Sequence, residues 1–401
     1  MLQFKKANNI INLLGVERMV ILEKPYISDL MLEYLSQHNI PVLANDFAKE
    51  SAKRYPLNLL TDSEMKAKYE QNGKIYTTSE NALDWIYNNL PNDEIVEKIS
   101  VLKDKFKFRE LLRPMYPDFF YKELTEKELE EIDFKKITPP FILKPAIGFL
   151  SLGVYTIYNR QDLEAARLDI KESKLNWKAN FPNSVIDDSK FILEQYISGT
   201  EYAIDAYYND NGKPVILNIF THRFASSTDV SDRVYYTSKE IIDTFKQPFE
   251  LFLTEANQFL QLKNFPMHVE VRVDGNLICP IEFNPLRFAG LSCTDVAYYA
   301  YGIRTIEYFL QNKEPDFSEL LKGKEDNLYS LILLDKPDKS IPCSAFNYDK
   351  LYSSFENVLE LRKVNNPNLD IFGFVFTQTQ KKNEKELDYI LSSNLYEFCD
   401  Y

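Results

Sequence analysis

Three segments of this chain carry polar residues at spacings that can do chemistry. The first is Lys144-Pro145-Ala146-Ile147-Gly148-Phe149-Leu150-Ser151-Leu152-Gly153-Val154. A lysine closes a hydrophobic strand, and a loop follows before the next strand. Backbone N–H groups and the Ser151 hydroxyl in such a loop can cradle phosphate oxygens, with Lys144 as a point charge. An ordinary hairpin with a surface lysine fits the same residues. The second segment, Phe191-Ile192-Leu193-Glu194-Gln195-Tyr196-Ile197-Ser198-Gly199-Thr200-Glu201-Tyr202, sets one carboxylate at a strand end and another after a glycine turn. Glu201 suits hydrogen bonds from ribose hydroxyls. The chain from Glu194 through Gln195 and Tyr196 to Ile197 can offer backbone groups to an adenine edge.

The third segment joins His268-Val269-Glu270-Val271-Arg272, a turn, and Cys279-Pro280-Ile281-Glu282-Phe283-Asn284-Pro285-Leu286-Arg287. Glu282 and Asn284 are two apart on a strand and face one side. Glu270, on the preceding antiparallel strand, can face that side too. Three hard oxygen donors on one face suit Mg²⁺, which keeps several waters and bridges phosphates. Two carboxylates within apolar strands are costly without a cation, which favours metal over cross-strand polar decoration.

The elements that must position these residues follow from hydrophobic periodicity. Residues 19–22 read as a buried strand, 28–38 as an amphipathic helix and 41–44 as a second strand, a strand–helix–strand order that predicts a small parallel α/β unit. It lacks GxGxxG, so no dinucleotide site is read there. Helices are expected over 79–89, with Ser79 as N-cap, and over 94–112. From about residue 138 strands dominate: 141–144, 191–194, 202–208, 214–220, 268–273 and 277–283. Asn211-Gly212 and Asp274-Gly275-Asn276 mark hairpins. The polar stretch 221–237, with His222, Arg223, Asp229, Asp232 and Arg233, reads as a connection. After about 315, strand 328–334, helix 348–364, strand 371–377 and helix 384–398 form a small α+β unit.

Composition bounds the rest. The 401 residues are too many for one ordinary core, and a hydrophobic fraction of 45% with 27% charged is globular. The formal charge of −13 argues against nucleic-acid and anionic-membrane partners, and no basic stripe offsets it. Cys279, Cys293, Cys343 and Cys399 are widely spaced, with no CxxC pair, and read as reduced, mostly buried thiols. No apolar run reaches the length of a membrane span or a signal-peptide core, so a soluble, cytoplasmic protein is expected.

In this order and spacing, the three segments resemble the ATP-grasp superfamily, most closely its carboxylate–amine ligases, over residues 100–310. The resemblance implies an ATP-grasp fold, α/β plus α+β: an N-terminal parallel α/β unit over 1–100, an ATP-grasp domain over 101–315 with subdomains 101–190 and 191–315, and a C-terminal α+β unit over 316–401. It implies ATP and Mg²⁺ as cofactors. Lys105 (four before Arg109, and a better fit than Lys107) and Lys144 would contact the phosphates, and the loop bearing Gly148 and Ser151 would close over them. Glu194–Ile197 would meet adenine and Glu201 ribose. Glu270, Glu282 and Asn284 would hold magnesium, and Arg287 would support the reacting phosphate. One departure is that Phe149 and Leu150 stand where the family's loop has small residues. The implied reaction activates a small carboxylate as an acyl phosphate and joins it to an amine. A small-molecule kinase, a carboxylase and a non-catalytic nucleotide binder are the alternatives. Arg223 or Arg233 could recognise a substrate carboxylate, and a solvated surface loop fits the same stretch equally well. His268 and His222 could shuttle protons, and His268 could face substrate, but a lone histidine beside a strand is more often structural. Dimers are common among such enzymes, so a homodimer is the assembly to look for.

Overall fold

The computed structural model describes residues 18–71, 73–148, 153–180, 187–224, 233–366 and 369–400. Among the described residues three sheets are built. The first contains β1 (Arg18–Ile21), β2 (Pro41–Leu43), β3 (Asn58–Leu60) and β4 (Lys74–Thr77), in the order β3-β2-β1-β4 and parallel throughout. Met19, Val20 and Ile21 are buried, as their uninterrupted apolar run requires of a strand covered on both faces. The helix Asp29–Gln37 follows β1, capped by the Ser28 hydroxyl, which accepts from the Met31 N–H.

The second sheet, in the order β5-β8-β6-β7, is antiparallel: β5 (Tyr121–Thr125), β6 (Phe141–Ile147), β7 (Tyr155–Ile157) and β8 (Asp187–Gln195). Its own core includes Leu124, Phe141, Leu143, Phe191 and Leu193, closed by Leu163 and Ala166 of the helix Arg160–Asn180.

The third sheet has eight strands in the order β13-β12-β9-β10-β11-β14-β16-β15. They are β9 (Thr200–Tyr208), β10 (Pro214–Arg223), β11 (Val234–Ser238), β12 (Phe265–Asp274), β13 (Leu277–Pro285), β14 (Asn327–Asp335), β15 (Val358–Lys363) and β16 (Ile371–Gln380). Both expected hairpins form, with Gly212 and Gly275 at positive φ. The first sheet and most of the third share one hydrophobic core, in which Met19, Tyr76 and Phe108 join Ile204, Phe283 and Phe309.

Three expectations are corrected. The helix foreseen over 94–112 is two helices, Glu94–Lys103 and Lys105–Leu112. Asp104 ends the first, and its carboxylate caps the second by accepting from the N–H groups of Phe106 and Lys107. The helix foreseen over 348–364 stops at Tyr352, and residues 358–363 instead form β15, paired with β16. There an open edge of the large sheet supplies ladder hydrogen bonds that outweigh local helical preference. The stretch read as a connection contains β11, paired with both β10 and β14. Through β11 the C-terminal strands continue the large sheet. Of the cysteines only Cys279 is buried; the other three are half-buried, and all four are free thiols. Among the described residues no helix is long and apolar enough to cross a membrane.

Candidate functional site

The second and third sheets meet where the helix Lys105–Leu112 passes between them. Asp104, as its cap, sets Lys105 at the first helical position and Arg109 one turn later on the same face. Both are buried. The Lys105 ammonium lies 3.3 Å from Glu282 Oε2 and donates to the Gly148 carbonyl at 3.2 Å. One cation thus touches β13 and the end of β6. Arg109 donates to Glu194 Oε2 at 2.8 Å and to the Pro280 carbonyl at 2.6 Å. On the other side of that carboxylate, Lys144 Nζ lies 2.6 Å from Glu194 Oε1.

Glu194 is only 2% exposed, so two cations flank a carboxylate inside the protein. Burial alone pushes its pKa up; Arg109 and Lys144 reverse this and hold it at about 2. Burial pushes the Lys144 ammonium down from its ordinary value, against the pull of Glu194. Glu282 follows the logic of Glu194: burial is outweighed by Lys105 and Lys103, and its carboxyl is held at about 2. Burial raises the neighbouring Cys279 thiol to about 11, which leaves it protonated and without nucleophilic character at neutral pH.

Register aligns the third segment. Glu270 stands opposite Glu282 and His268 opposite Asn284, and the Asn284 amide donates to Glu282 Oε1 at 3.1 Å. Ile281 is bulged out between two paired positions, beside Pro280, which has no N–H to give and sits on an edge strand where none is needed. A polar row continues across the sheet, with Asp205 opposite His268 on one side and Asn218 on the other. His268 Nδ1 lies 2.8 Å from Asp205 Oδ1, and its Nε2 lies 3.7 Å from Glu270 Oε1. Two carboxylates and an amide on adjacent strands form a donor set of the hard-oxygen kind that Mg²⁺ takes. Among the described residues no group of three or more His, Cys, Asp or Glu side chains gathers as a metal cluster.

Arg287 donates to Glu80 Oε1 at 2.6 Å and to the Phe288 carbonyl at 3.1 Å. Burial opposes its charge, but Glu80, then Glu282 and Glu270, raise its pKa above the ordinary value. Glu201 lies further along the sheet. Its Oε2 accepts from Arg272 at 3.0 Å, and its Oε1 is 3.6 Å from His222 Nε2. Arg272 also donates to the Tyr196 hydroxyl and the Ile197 carbonyl, so it binds the turn between β8 and β9 together. Gly199 at that turn has φ +96°, and a Cβ there would fall 2.1 Å from the Val273 carbonyl oxygen. Gln195 ends β8, its N–H donating to the Phe120 carbonyl at 2.9 Å.

Sequence reasoning and structure part company over two arginines. Arg223 donates to Glu384 at 2.8 Å and Asp388 at 2.9 Å, and Arg233 NH1 to the Ile390, Leu391 and Ser393 carbonyls. Both guanidiniums hold the C-terminal helix Lys385–Ser392 to the large sheet, rather than facing a substrate carboxylate. Ser151, Phe149, Leu150, Asp229 and Asp232 lie outside the described residues. Arg109, Arg272, Asp205 and Glu80 were missed. Arg109 was findable as the residue four after Lys105, and Arg272 by its alternation with His268 and Glu270. Asp205 was the lone carboxylate in the aromatic run 202–208. Glu80 carried no signal beyond an acidic first turn.

A model of the ATP-grasp domain matches residues 137–295. The chain therefore carries an ATP-grasp domain. Solved structures that resemble the chain along most of its length include an L-amino acid ligase from Bacillus licheniformis, 17% identical, covering 94% of this chain and 96% of that one with a TM-score of 0.65. A carboxyaminoimidazole ribonucleotide synthase from Aspergillus clavatus, complexed with ATP, is 12% identical over 96% of this chain and 99% of that one, TM-score 0.67. A biotin carboxylase from Campylobacter jejuni, in a β-γ-ATP complex, is 14% identical over 93% and 89%, TM-score 0.60. At such identities the likeness is one of fold. No curated protein sequence matches the chain.

Proposed function

We propose that the protein is an ATP-dependent ligase that activates a small carboxylate as an acyl phosphate and joins it to an amine, releasing ADP and phosphate. The observation that carries this reading is the Lys105 ammonium, 3.3 Å from Glu282 and 3.2 Å from the Gly148 carbonyl. It brings a phosphate-binding cation, a metal-type carboxylate and the start of the loop after β6 to one point. The solved relatives with ATP or its analogue, and an amino acid ligase among them, support the nucleotide and the reaction class.

In this reading Lys105 and Lys144 neutralise phosphate charge, and Gly148 with Ser151 opens the loop over the phosphates. Glu194–Ile197 lines the adenine edge, and Glu201 faces the ribose. Arg109 holds Glu194 in place, and Glu194 in turn favours the charged form of Lys144. Glu270, Glu282 and Asn284 hold Mg²⁺, which supplies charge neutralisation along the phosphate chain when bound. Arg287 stabilises the charge that develops on the transferring phosphoryl group. Phosphoryl transfer needs alignment and electrostatic stabilisation more than a covalent nucleophile, and this cluster offers fixed charges in a water-poor site. The amine then displaces phosphate from the acyl carbon.

The test is release of ADP and phosphate from Mg-ATP with pooled L-amino acids and small carboxylates, read by mass spectrometry. A product lighter than its two reactants by one water establishes the ligase. A bicarbonate requirement would make it a carboxylase, a stable phosphorylated product a kinase. AMP with pyrophosphate would refute the reading.

A further inference from the structure

The parallel unit grips the segment that follows β13. At the end of β4, the N–H and hydroxyl of Thr77 both donate to the Leu286 carbonyl, at 2.8 and 3.2 Å. Leu286 is a buried, branched residue with φ +60°, a left-handed conformation its Cβ disfavours. Two donors on one carbonyl hold it there. The next residue, Arg287, meets Glu80 at 2.6 Å, and Glu80 also binds Lys103. Two residues on, the Ala289 N–H donates to Asp205 Oδ1 at 2.8 Å. Ser292 Oγ accepts from the Ser28 N–H at 3.0 Å. Four anchors within seven residues, three of them from the parallel unit, are more than an interface contact requires.

We propose that Glu80 and Thr77 are positioning residues that aim Arg287 at the phosphate end of the site, an inference that rests on the nucleotide reading given above. Glu80 fixes one side of the guanidinium with a charge-assisted hydrogen bond. Thr77 fixes the backbone from which the side chain springs. The N–H groups of Arg287 that face neither Glu80 nor Phe288 are left for an anion. The parallel unit is then a working part of the site.

The experiment compares Mg-ADP with a non-hydrolysable Mg-ATP analogue by calorimetry on the full chain, so that the affinity ratio isolates the terminal phosphate. Arg287→Met should weaken the analogue roughly 10-fold relative to ADP. Glu80→Gln should move the ratio the same way with ADP affinity unchanged, and adding it to Arg287→Met should cost nothing more. A role confined to folding would weaken both nucleotides, or add to the Arg287 effect. Thr77→Val, which removes one hydrogen bond, is read by the same ratio and covers a Glu80 variant that does not fold; it should lower the ratio by roughly 3-fold. An unchanged ratio in every soluble variant, or additive losses, overturns the positioning role while the nucleotide reading stands. A wild type that binds neither nucleotide overturns both.

Discussion

Glu194 offers the sharpest test of the electrostatics, because two cations flank its buried carboxylate. The perturbation is Glu194→Gln, which keeps shape and removes charge. In the wild type the carboxylate lies 2.6 Å from Lys144 and 2.8 Å from Arg109, with 2% exposure. A carboxyl held at about 2 against an ordinary 4.5 corresponds to about 3 kcal/mol of native stabilisation at neutral pH. A second route agrees, since breaking a buried pair by removing one partner costs about 3–5 kcal/mol. With roughly 2 cal/mol/K of unfolding entropy per residue, that amounts to a fall in Tm of about 4 °C for cooperative unfolding of a chain this long. The sign in pH follows from the depressed pKa. The stabilisation is complete above about pH 5 and is lost as pH falls towards 2, because the unfolded chain takes up a proton that the native carboxyl refuses. Urea denaturation of the nucleotide-free protein at pH 7 and at pH 4 or below, for wild type and variant, measures both. The variant should be less stable at pH 7, and the gap should narrow in acid. Equal stabilities at pH 7, or a gap independent of pH, would refute the paired-cation account of Glu194.

Other outcomes are expected. Glu282→Ala or Asn284→Ala should abolish Mg-dependent ADP release, and retained activity in both would remove the metal assignment. Gly199→Ala should lower the stability by at least about 2 kcal/mol in a thermal melt, since a Cβ 2.1 Å from the Val273 carbonyl oxygen at φ +96° has backbone in its way. Arg233→Ala should speed hydrogen exchange in the helix Lys385–Ser392, whose last carbonyls it binds, and leave Mg-ADP affinity as in the wild type. A raised KM for a substrate acid with unchanged exchange would return Arg233 to the substrate site.

How much was legible can be judged residue by residue. The chemistry-bearing segments were readable because each lies on one strand or one turn, where a period of two and the turn-forming Gly residues fix which side chains share a face. Glu282 with Asn284, the hairpin at Gly275 and the parallel unit opened by Met19 are of this kind. Local reading failed where a partner distant in sequence decides. Residues 358–363 follow a helix-like pattern, yet pair with β16 because an open sheet edge waits there. Arg223 and Arg233 read as substrate-facing cations, yet both are bound by residues of the C-terminal segment.

The sequence by itself determined the types of group and their order: lysines, carboxylates, an amide and an arginine along a strand-rich middle, in an acidic globular chain. Only the tertiary structure decided which of them meet. Glu194 between Lys144 and Arg109, Lys105 against Glu282, and Arg287 against Glu80 are pairs separated by tens to hundreds of residues. The physical reason is that a strand or helix fixes neighbours within a turn or a register. A buried charge, by contrast, is settled by whichever opposite charge the packing of three sheets delivers to it.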